Sequence, residues 1–217
     1  STENIDFVEK LLFSCCSLQH LKMEGLRINP NMAASICKNG KTLQVLNLNN
    51  SHVIEFHLNY NSSMKSCNLH SIIKCCQELK ELALINGDKW LNDEDLEFLV
   101  KNISPNVVRL NLSNHDVDDD DVKILLSRCN KIKVLSLKET LITNDSLKTM
   151  RQYLSHTLEE LSLTYNIYER FPSAHIDLKS MPRLKILNLH CEKVDNNQIQ
   201  NLRQHLPHLM IRTFFDC

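Results

Sequence analysis

The residues of this sequence best suited to chemistry are its cysteines, nine among 217 residues. Two pairs are adjacent, Cys15-Cys16 and Cys75-Cys76. Clustered thiols can bind a metal ion, form a redox-active disulfide or supply a nucleophile. However, no C-x-x-C motif occurs, and no second group of Cys and His has zinc spacing. We interpret His190-Cys191, the nearest approach to a ligand pair, as the end of a strand, and we expect neither a metal nor a cofactor.

Composition and motif content argue against several classes of function. The net charge is −1 and the pI is near 6.8, which argues against nucleic acid or a membrane surface as a partner. The start, "STENIDFVEK", lacks the features of a signal peptide, so we expect reduced thiols rather than a disulfide framework. There is no G-x-S-x-G motif, and three glycines are too few for a phosphate-binding loop. The ten histidines have no nucleophile paired with them in the sequence, so we expect a non-enzymatic protein.

The elements that would position the cysteines follow from a repeated L-x-x-L-x-L motif. The spacing between copies averages about 27 residues, within the range of leucine-rich repeats. In a short strand, alternate side chains face opposite sides, so the second and third apolar residues point inward together. The eight copies are Leu18/Leu21/Met23, Leu43/Leu46/Leu48, Leu79/Leu82/Leu84, Val107/Leu110/Leu112, Ile132/Leu135/Leu137, Leu158/Leu161/Leu163, Leu184/Leu187/Leu189 and Leu206/Leu209/Ile211.

Segments with helical periodicity lie between the predicted strands in the sequence. Apolar spacing predicts helices at 92–103, 119–129, 144–154 and 195–206, each preceded by Asp or Asn as a possible N-cap. We therefore predict a single α/β leucine-rich-repeat solenoid over residues 1–217, a horseshoe of about eight repeats. Parallel strands would line its concave face and helices its convex face. A long step between the second and third copies predicts a surface loop within 51–68. The helical pattern at 4–16 has no strand before it, which indicates a fragment.

The motif also places the cysteines. Cys15, Cys76 and Cys129 each precede the first apolar residue of a copy by three positions, at a helix end that faces the core. Packing is therefore the predicted role of these three, because cysteine behaves as a small apolar side chain. Cys16 and Cys75 do not share this position, and we predict that they are the exposed, available thiols.

The densest charge run is "HDVDDDD" at 115–121. A calcium loop would need spaced acids, a glycine and a distal Glu, which this run lacks. We interpret the run as helix capping with a favourable interaction with the helix dipole. The alternative is an acidic ridge, formed with the acids at 88 and 93–95, that meets a basic partner.

The concave face is the expected binding surface. Its central column is mostly small and polar, and charged residues flank it. The motif places Arg212 in one flanking column with Lys138 and His190. An acidic or phosphorylated peptide would suit the basic members, because Arg binds phosphate bidentately; the alternative is scattered solvated charge. The candidate partner-binding residues are Glu81, Arg109, Lys138, Glu160, His190 and Arg212.

Aromatic residues concentrate in two strand-to-helix loops. Tyr165, Tyr168 and Phe171 lie in one loop, and Trp90 lies in the equivalent loop of an earlier repeat. Aromatic side chains are favoured interface anchors. The alternative is that they cover the edge of the core, and the sequence favours neither interpretation over the other.

The combined motif C-x-x-L-x-x-L-x-L resembles the cysteine-containing leucine-rich repeats of F-box proteins. Four segments resemble one member of that family in particular, namely "LQHLKMEGLRINP" at 18–30, "LQVLNLNNSHVIEF" at 43–56, "VVRLNLSN" at 107–114 and "NNQIQNLRQHLPHLMI" at 196–211. The resemblance implies the non-catalytic substrate receptor of a Skp–cullin–F-box ubiquitin ligase, acting in ubiquitin-dependent degradation and the cell cycle. It also implies a nuclear and cytoplasmic location.

The partners are likewise implied by the resemblance. They are protein substrates, with phosphorylated ones included, and a Skp adaptor and cullin reached through an F-box outside this chain. A small cyclin-kinase-subunit accessory protein is a further implied partner. The alternative function is a leucine-rich-repeat scaffold or inhibitor unrelated to ubiquitin, and a cysteine-dependent enzyme is a third, remoter class.

Overall fold

The computed structural model describes residues 2–49, 52–53, 67–85, 91–164, 177–190 and 196–214. The chain divides into two compact units, residues 1–107 and residues 108–217, which are taken in turn below. The described helices are α1 (Thr2–Ser14), α2 (Pro30–Lys38), α3 (Cys67–Cys75), α4 (Asp93–Asn102), α5 (Asp119–Arg128), α6 (Asn144–Leu154) and α7 (Asn196–His205). The described strands are β1 (His20–Lys22), β2 (Arg27–Ile28), β3 (Val45–Asn47), β4 (His52–Val53), β5 (Glu81–Ala83), β6 (Arg109–Asn111), β7 (Val134–Ser136), β8 (Glu160–Ser162), β9 (Ile186–His190) and β10 (Met210–Phe214).

In the first unit, β1, β3 and β5 pair in parallel. The middle leucines of three motif copies, Leu21, Leu46 and Leu82, lie opposite one another in this register. All three are buried, with Leu82 1% exposed. Helices α1 to α4 pack in sequence order, each against the next, and the two-residue strands β2 and β4 form a second small parallel sheet.

In the second unit, β6 to β10 pair in parallel in chain order. Leu110, Leu135, Leu161 and Leu187 lie opposite one another and are buried, so they form the centre of the core. Helices α5 and α6 pack together. The α/β leucine-rich-repeat solenoid predicted from the sequence is therefore confirmed, and the four predicted helices match α4 to α7 to within one residue at either end. Most of the predicted loop at 51–68 lies outside the described residues.

The register of the last repeat differs from the prediction. Ile211, and not Leu209, lies opposite Leu187, which places Arg212 beside Asn188 in the central column. The assignment of Arg212 to the flanking column of Lys138 and His190 was therefore wrong. The backbone pairing sets this register: the Met210 N–H donates to the Lys185 carbonyl, as the Ile186 N–H donates to that of Glu159 in the preceding repeat.

A left-handed residue ends several strands at the same motif position. Gly25, Asn114 and Glu139 have φ values of 69°, 66° and 54°. Each lies four residues after a middle leucine, and each backbone N–H donates to the next repeat, to the carbonyls of Asn49, Lys138 and Thr164 respectively. Gly and Asn adopt this conformation readily, but Glu does not. The turn therefore serves to join adjacent repeats.

The helices begin at polar caps, as the sequence predicts. Asn92 caps α4, and Asp118 caps α5 through a reciprocal capping box with Asp121. Thr143, rather than an Asp or Asn, caps α6. The capping interpretation of the acidic run is confirmed for Asp118 and Asp121, since both use their carboxylates on the backbone of the same helix.

The burial of most of these cysteines agrees with their positions in the motif. Cys76 and Cys129 are fully buried, and burial raises the pKa of Cys76 to about 12 and that of Cys129 to about 11. Cys15, at the equivalent position, is only half-buried, whereas Cys16 and Cys75 are exposed as predicted. Within the described ranges, no group of three or more Cys, His, Asp or Glu side chains is arranged to hold a metal ion. In the same ranges, no helix has the length and apolar character needed to cross a membrane.

Candidate protein-binding face

The side chains of β6 to β10 that alternate with the buried leucines form a continuous surface, here called the strand face. One column reads Arg109, Val134, Glu160, Ile186 and Met210, and the next reads Asn111, Ser136, Ser162, Asn188 and Arg212. Because side chains alternate along a strand, both columns face away from the leucine core. The strand face is the part of the second unit that can accept a partner across several repeats.

The floor of the strand face is polar and largely bonded to itself. Ser113 and Ser136 share a hydrogen bond between their hydroxyls at 3.0 Å. The amide nitrogen of Asn188 donates to the Ser162 hydroxyl at 2.7 Å. These bonds join side chains of adjacent repeats and fix the orientation of the small polar residues. The floor is therefore ordered and shallow, as the sequence predicts for its small polar column.

Two polar atoms of this floor are buried without a hydrogen-bond partner. They are Asn188 Oδ1 and Thr164 Oγ1, on residues that are 5% and 1% exposed. A buried polar atom left unbonded costs free energy, which a ligand group can recover by bonding to it. The two atoms belong to adjacent repeats, because Asn188 lies on β9 opposite Ser162 and Thr164 follows Ser162 just beyond the end of β8. Asn188 Oδ1 and Thr164 Oγ1 are therefore the least satisfied polar atoms of this floor.

Charged side chains border this floor. Arg109 and Arg212 are exposed, while Lys138 and Glu160 are half-buried. Arg109 and Glu160 share a column, with Val134 between them. Glu160 thus lies on the same face as the basic residues, so the face offers mixed charge rather than a uniform basic patch.

A second charged row lies just before the strands. Glu159 accepts from Lys185 Nζ at 2.6 Å, and Lys133 Nζ lies 3.4 Å from its other oxygen. The hydrogen bond from Lys185, with Lys133 assisting, lowers the pKa of Glu159. The row connects three repeats at the N-terminal ends of their strands. Glu159 is ionised and paired with lysine at neutral pH.

In the first unit, Glu81 lies opposite Val45 on β3 and is half-buried. Its column continues to His20, and the neighbouring column holds Lys22, Asn47 and Ala83. Glu81 is therefore on the strand side of its own unit, as the motif predicts.

Several predicted site residues have no described side chain. His190 is the last residue of β9 and lies opposite Phe214, but its side chain falls outside the described part. Trp90, Tyr165, Tyr168 and Phe171 lie wholly outside the described residues. Their predicted role as loop anchors stays a prediction.

Sequence reasoning missed Met210 as a surface residue. Met210 is 53% exposed and lies at the end of the column of Arg109 and Glu160. The signal that could have found it is the motif itself, because Met210 lies between Leu209 and Ile211 and alternate side chains of a strand face opposite sides. The result is an apolar position beside Arg212 at the edge of the strand face.

Comparison with known proteins gives the family. A family model described as the SKP2 LRR domain matches residues 1–215. The chain belongs to the SKP2 LRR domain family. This confirms the predicted resemblance to the repeat region of one F-box protein, the S-phase kinase-associated one. SKP2-type repeats are leucine-rich repeats, a class of domain that binds other proteins on an extended surface.

The solved structures to which the chain is similar are distant from it in sequence. Leiomodin-1 actin-binding site 2 matches with a TM-score of 0.53 and 18% identity, covering 64% of this chain and 86% of that one. A chain of the yeast Rad7 and Elc1 complex matches with a TM-score of 0.45 and 18% identity, covering 96% and 72%. The tropomodulin C-terminal domain of Caenorhabditis elegans matches with a TM-score of 0.43 and 10% identity, covering 94% of this chain and 92% of that one. The leiomodin-1 likeness supports the fold alone.

Proposed function

We propose that this SKP2-type domain is the substrate-recognition part of a Skp–cullin–F-box ubiquitin ligase. The single observation that carries the proposal is the family match over residues 1–215. The domain would bind a protein substrate, while an F-box elsewhere in the full protein would bind the Skp adaptor. The catalytic contribution is then proximity, because a held substrate has a high effective concentration near the conjugating enzyme.

The strand face of the second unit is the proposed substrate surface. Exposed Arg109 and Arg212 border a floor in which Asn188 Oδ1 has no hydrogen-bond partner. A phosphorylated or acidic segment suits this arrangement, because guanidinium groups bind phosphate and carboxylate bidentately. Glu160 on the same face would favour a segment that also carries a basic residue. A cyclin-kinase-subunit accessory protein is a proposed additional partner.

The decisive experiment is a pull-down with the full-length protein, followed by detection of the Skp adaptor and of ubiquitinated co-purifying proteins. The test variant is Arg109→Ala/Arg212→Ala. We expect it to keep the Skp adaptor and to lose most substrate, because only the strand face changes.

The matched control is Arg128→Ala/Arg203→Ala, which removes two exposed arginines from helices α5 and α7 of the same unit. It should retain both substrate and adaptor. Capture of partners without any Skp adaptor would contradict the ligase proposal and favour a scaffold or inhibitor. Equal substrate loss in both double variants would contradict the strand face as the binding surface.

A further inference from the structure

Two cysteines on neighbouring repeats of the first unit lie together on the helix side. Cys37 is in the last turn of α2, and Cys75 is the last residue of α3. The two helices pack against each other. Cys75 is exposed and Cys37 is half-buried, and both are free thiols. Neither belongs to the strand columns of this unit.

Gly40 permits this close approach. A Cβ atom at Gly40 would lie 2.5 Å from the carbonyl oxygen of Cys75 and 3.0 Å from that of Cys37. Any larger residue would push the end of α3 away, since real Cβ atoms essentially never come within 3.0 Å of another heavy atom in this way. The Gly40 N–H also donates to the Cys37 carbonyl at 2.9 Å. The backbones at both cysteines are therefore held against the same glycine.

The side chains of Cys37 and Cys75 also lie close to each other. Burial, followed by a hydrogen bond with the Cys75 side chain and by the nearby Cys75 and Cys76 thiols, raises the pKa of Cys37 to about 12. Cys37 thus keeps its proton, and Cys75 is the thiol that a solvent-borne reagent reaches. Cys76 is fully buried in the core, so adjacency in sequence does not make it the available partner.

We propose that Cys37 and Cys75 form a reversible disulfide modification site whose oxidant is a hydroperoxide, with hydrogen peroxide as the probe. Cys75 sulfur attacks one peroxide oxygen and the O–O bond breaks, which yields Cys75 sulfenic acid and one water. Cys37 sulfur then attacks the sulfenic sulfur, its proton passes to the departing oxygen, and a second water leaves. Two thiols are oxidised by two electrons and one peroxide is reduced. A thiol reductant reverses the reaction.

The disulfide would connect α2 to α3 covalently and close the chain between residues 37 and 75. Closing such a loop restricts the unfolded chain, so the oxidised protein should melt at a higher temperature than the reduced one. The site does not depend on the proposed ligase function, because it uses none of the strand-face residues.

The test is differential alkylation with mass spectrometry on the purified chain, after hydrogen peroxide or after a thiol reductant. In the wild-type chain we expect a peptide cross-linked through Cys37 and Cys75, lighter by two hydrogen atoms than its two components and absent after reduction. Cys37→Ser should lose the cross-link and accumulate sulfenic acid at Cys75, trapped with dimedone. Circular dichroism would verify that each variant is folded.

Cys16→Ser is the matched control, since Cys16 is the other exposed described thiol that is free. It should form the same cross-link as the wild-type chain. Three results would overturn the proposal: Cys37 that stays alkylatable after peroxide, a cross-link of Cys75 to a different cysteine, or dimedone labelling of Cys75 that does not increase in Cys37→Ser.

Discussion

At the residue scale, Asp119 connects two repeats through one carboxylate. Its Oδ1 accepts from the backbone N–H groups of Thr143 at 2.9 Å and Ser146 at 3.1 Å, and Oδ2 accepts from the Thr143 hydroxyl at 2.6 Å. The Ser146 hydroxyl also donates to it. Asp119 lies in the first turn of α5, so it caps the next helix, α6, from outside.

These bonds give a pH-dependent prediction. Burial alone would raise the pKa of Asp119, but the hydrogen bonds from Ser146 and Thr143 outweigh burial and lower it. A lowered folded pKa contributes stability that is present above the ordinary Asp pKa of about 3.9 and is lost as pH falls through the folded value. Asp119→Asn should therefore lower the free energy of unfolding by about 1–3 kcal/mol at neutral pH, measured by urea denaturation.

The control for this substitution is Asp120→Asn, one residue further along the same exposed turn. It should change the free energy of unfolding by less than about 0.5 kcal/mol. The deficit of Asp119→Asn should shrink in acid, below the ordinary Asp pKa. A deficit that is independent of pH would mean that the carboxylate charge has no part in joining the repeats.

Glu139 supplies a second prediction at this scale. It is exposed and has φ 54°, in the position where Gly25 and Asn114 occur in other repeats. A left-handed conformation costs a residue with a Cβ about 1–2 kcal/mol, and Gly avoids that cost. Glu139→Gly should therefore stabilise the protein by up to about 1 kcal/mol, because part of the relief is offset by the flexibility of Gly in the unfolded chain.

The matched comparison is a substitution at Asn114, the equivalent position of the preceding repeat, that removes a residue suited to the left-handed conformation. Asn114→Ala should destabilise the protein by about 1 kcal/mol, since Ala lacks the local hydrogen bonding that lets Asn adopt this conformation. Thermal melts followed by circular dichroism measure both variants. Destabilisation by Glu139→Gly would show that the Glu139 side chain has a stabilising role which outweighs its backbone strain.

At the element scale, the alternation of each short strand decides which residues build the core. Leu82 lies opposite Leu46, and its exposed fraction is 1%, whereas Ala83 beside it is half-buried. Leu82→Ala should cost about 2–5 kcal/mol in the free energy of unfolding, because it leaves a cavity in a packed core. Denaturant unfolding of the purified chain measures this loss.

Ala83→Ser is the control for the strand register. It should alter the free energy of unfolding by less than about 0.5 kcal/mol, since the side chain is small and faces away from the core. Comparable losses for Leu82→Ala and Ala83→Ser would contradict the side-chain alternation assigned to β5.

Backbone pairing between strands explains why the motif alone gave the wrong register for the last repeat. The copy at Leu206, Leu209 and Ile211 satisfies L-x-x-L-x-L, yet Ile211 is the residue opposite Leu187. Leu209 remains buried, so its apolar character is consistent with either register. Backbone pairing decides between them: the Met210 N–H donates to the Lys185 carbonyl at 2.8 Å, which sets the register of β10.

At the scale of the whole molecule, the near-neutral net charge of −1 means that binding depends on local charge rather than on a general field. The proposed strand-face surface has Arg109 on its first strand and Arg212 on its last, and Lys138 follows the strand next to Arg109. A phosphorylated partner would therefore gain from a few close contacts, which salt weakens.

A phosphopeptide library, probed in parallel with its dephosphorylated counterpart, tests this at low and at physiological ionic strength. We expect the full chain to prefer the phosphorylated library, by roughly tenfold if about 1.4 kcal/mol of binding depends on phosphate. The preference should fall with salt and with Arg109→Ala/Arg212→Ala. Equal binding of both libraries under every condition would exclude phosphate recognition by this face.

The sequence by itself determined the repeat architecture, most of the core leucines and the boundaries of α4 to α7, because these depend on local periodicity and capping residues such as Asp118. It also predicted that Cys76 is buried while Cys75 is exposed, since a helix end has an inner and an outer side. The family resemblance depended on the same local motifs.

Only the tertiary structure decided which residues of different repeats meet. The place of Arg212 beside Asn188, the bonds from Asp119 to Thr143, and the approach of Cys37 to Cys75 across Gly40 depend on pairing and packing between repeats. The physical reason is that a repeat motif defines which way a side chain faces within its own repeat. The neighbour that it meets depends on the strand register and on the length of each connection.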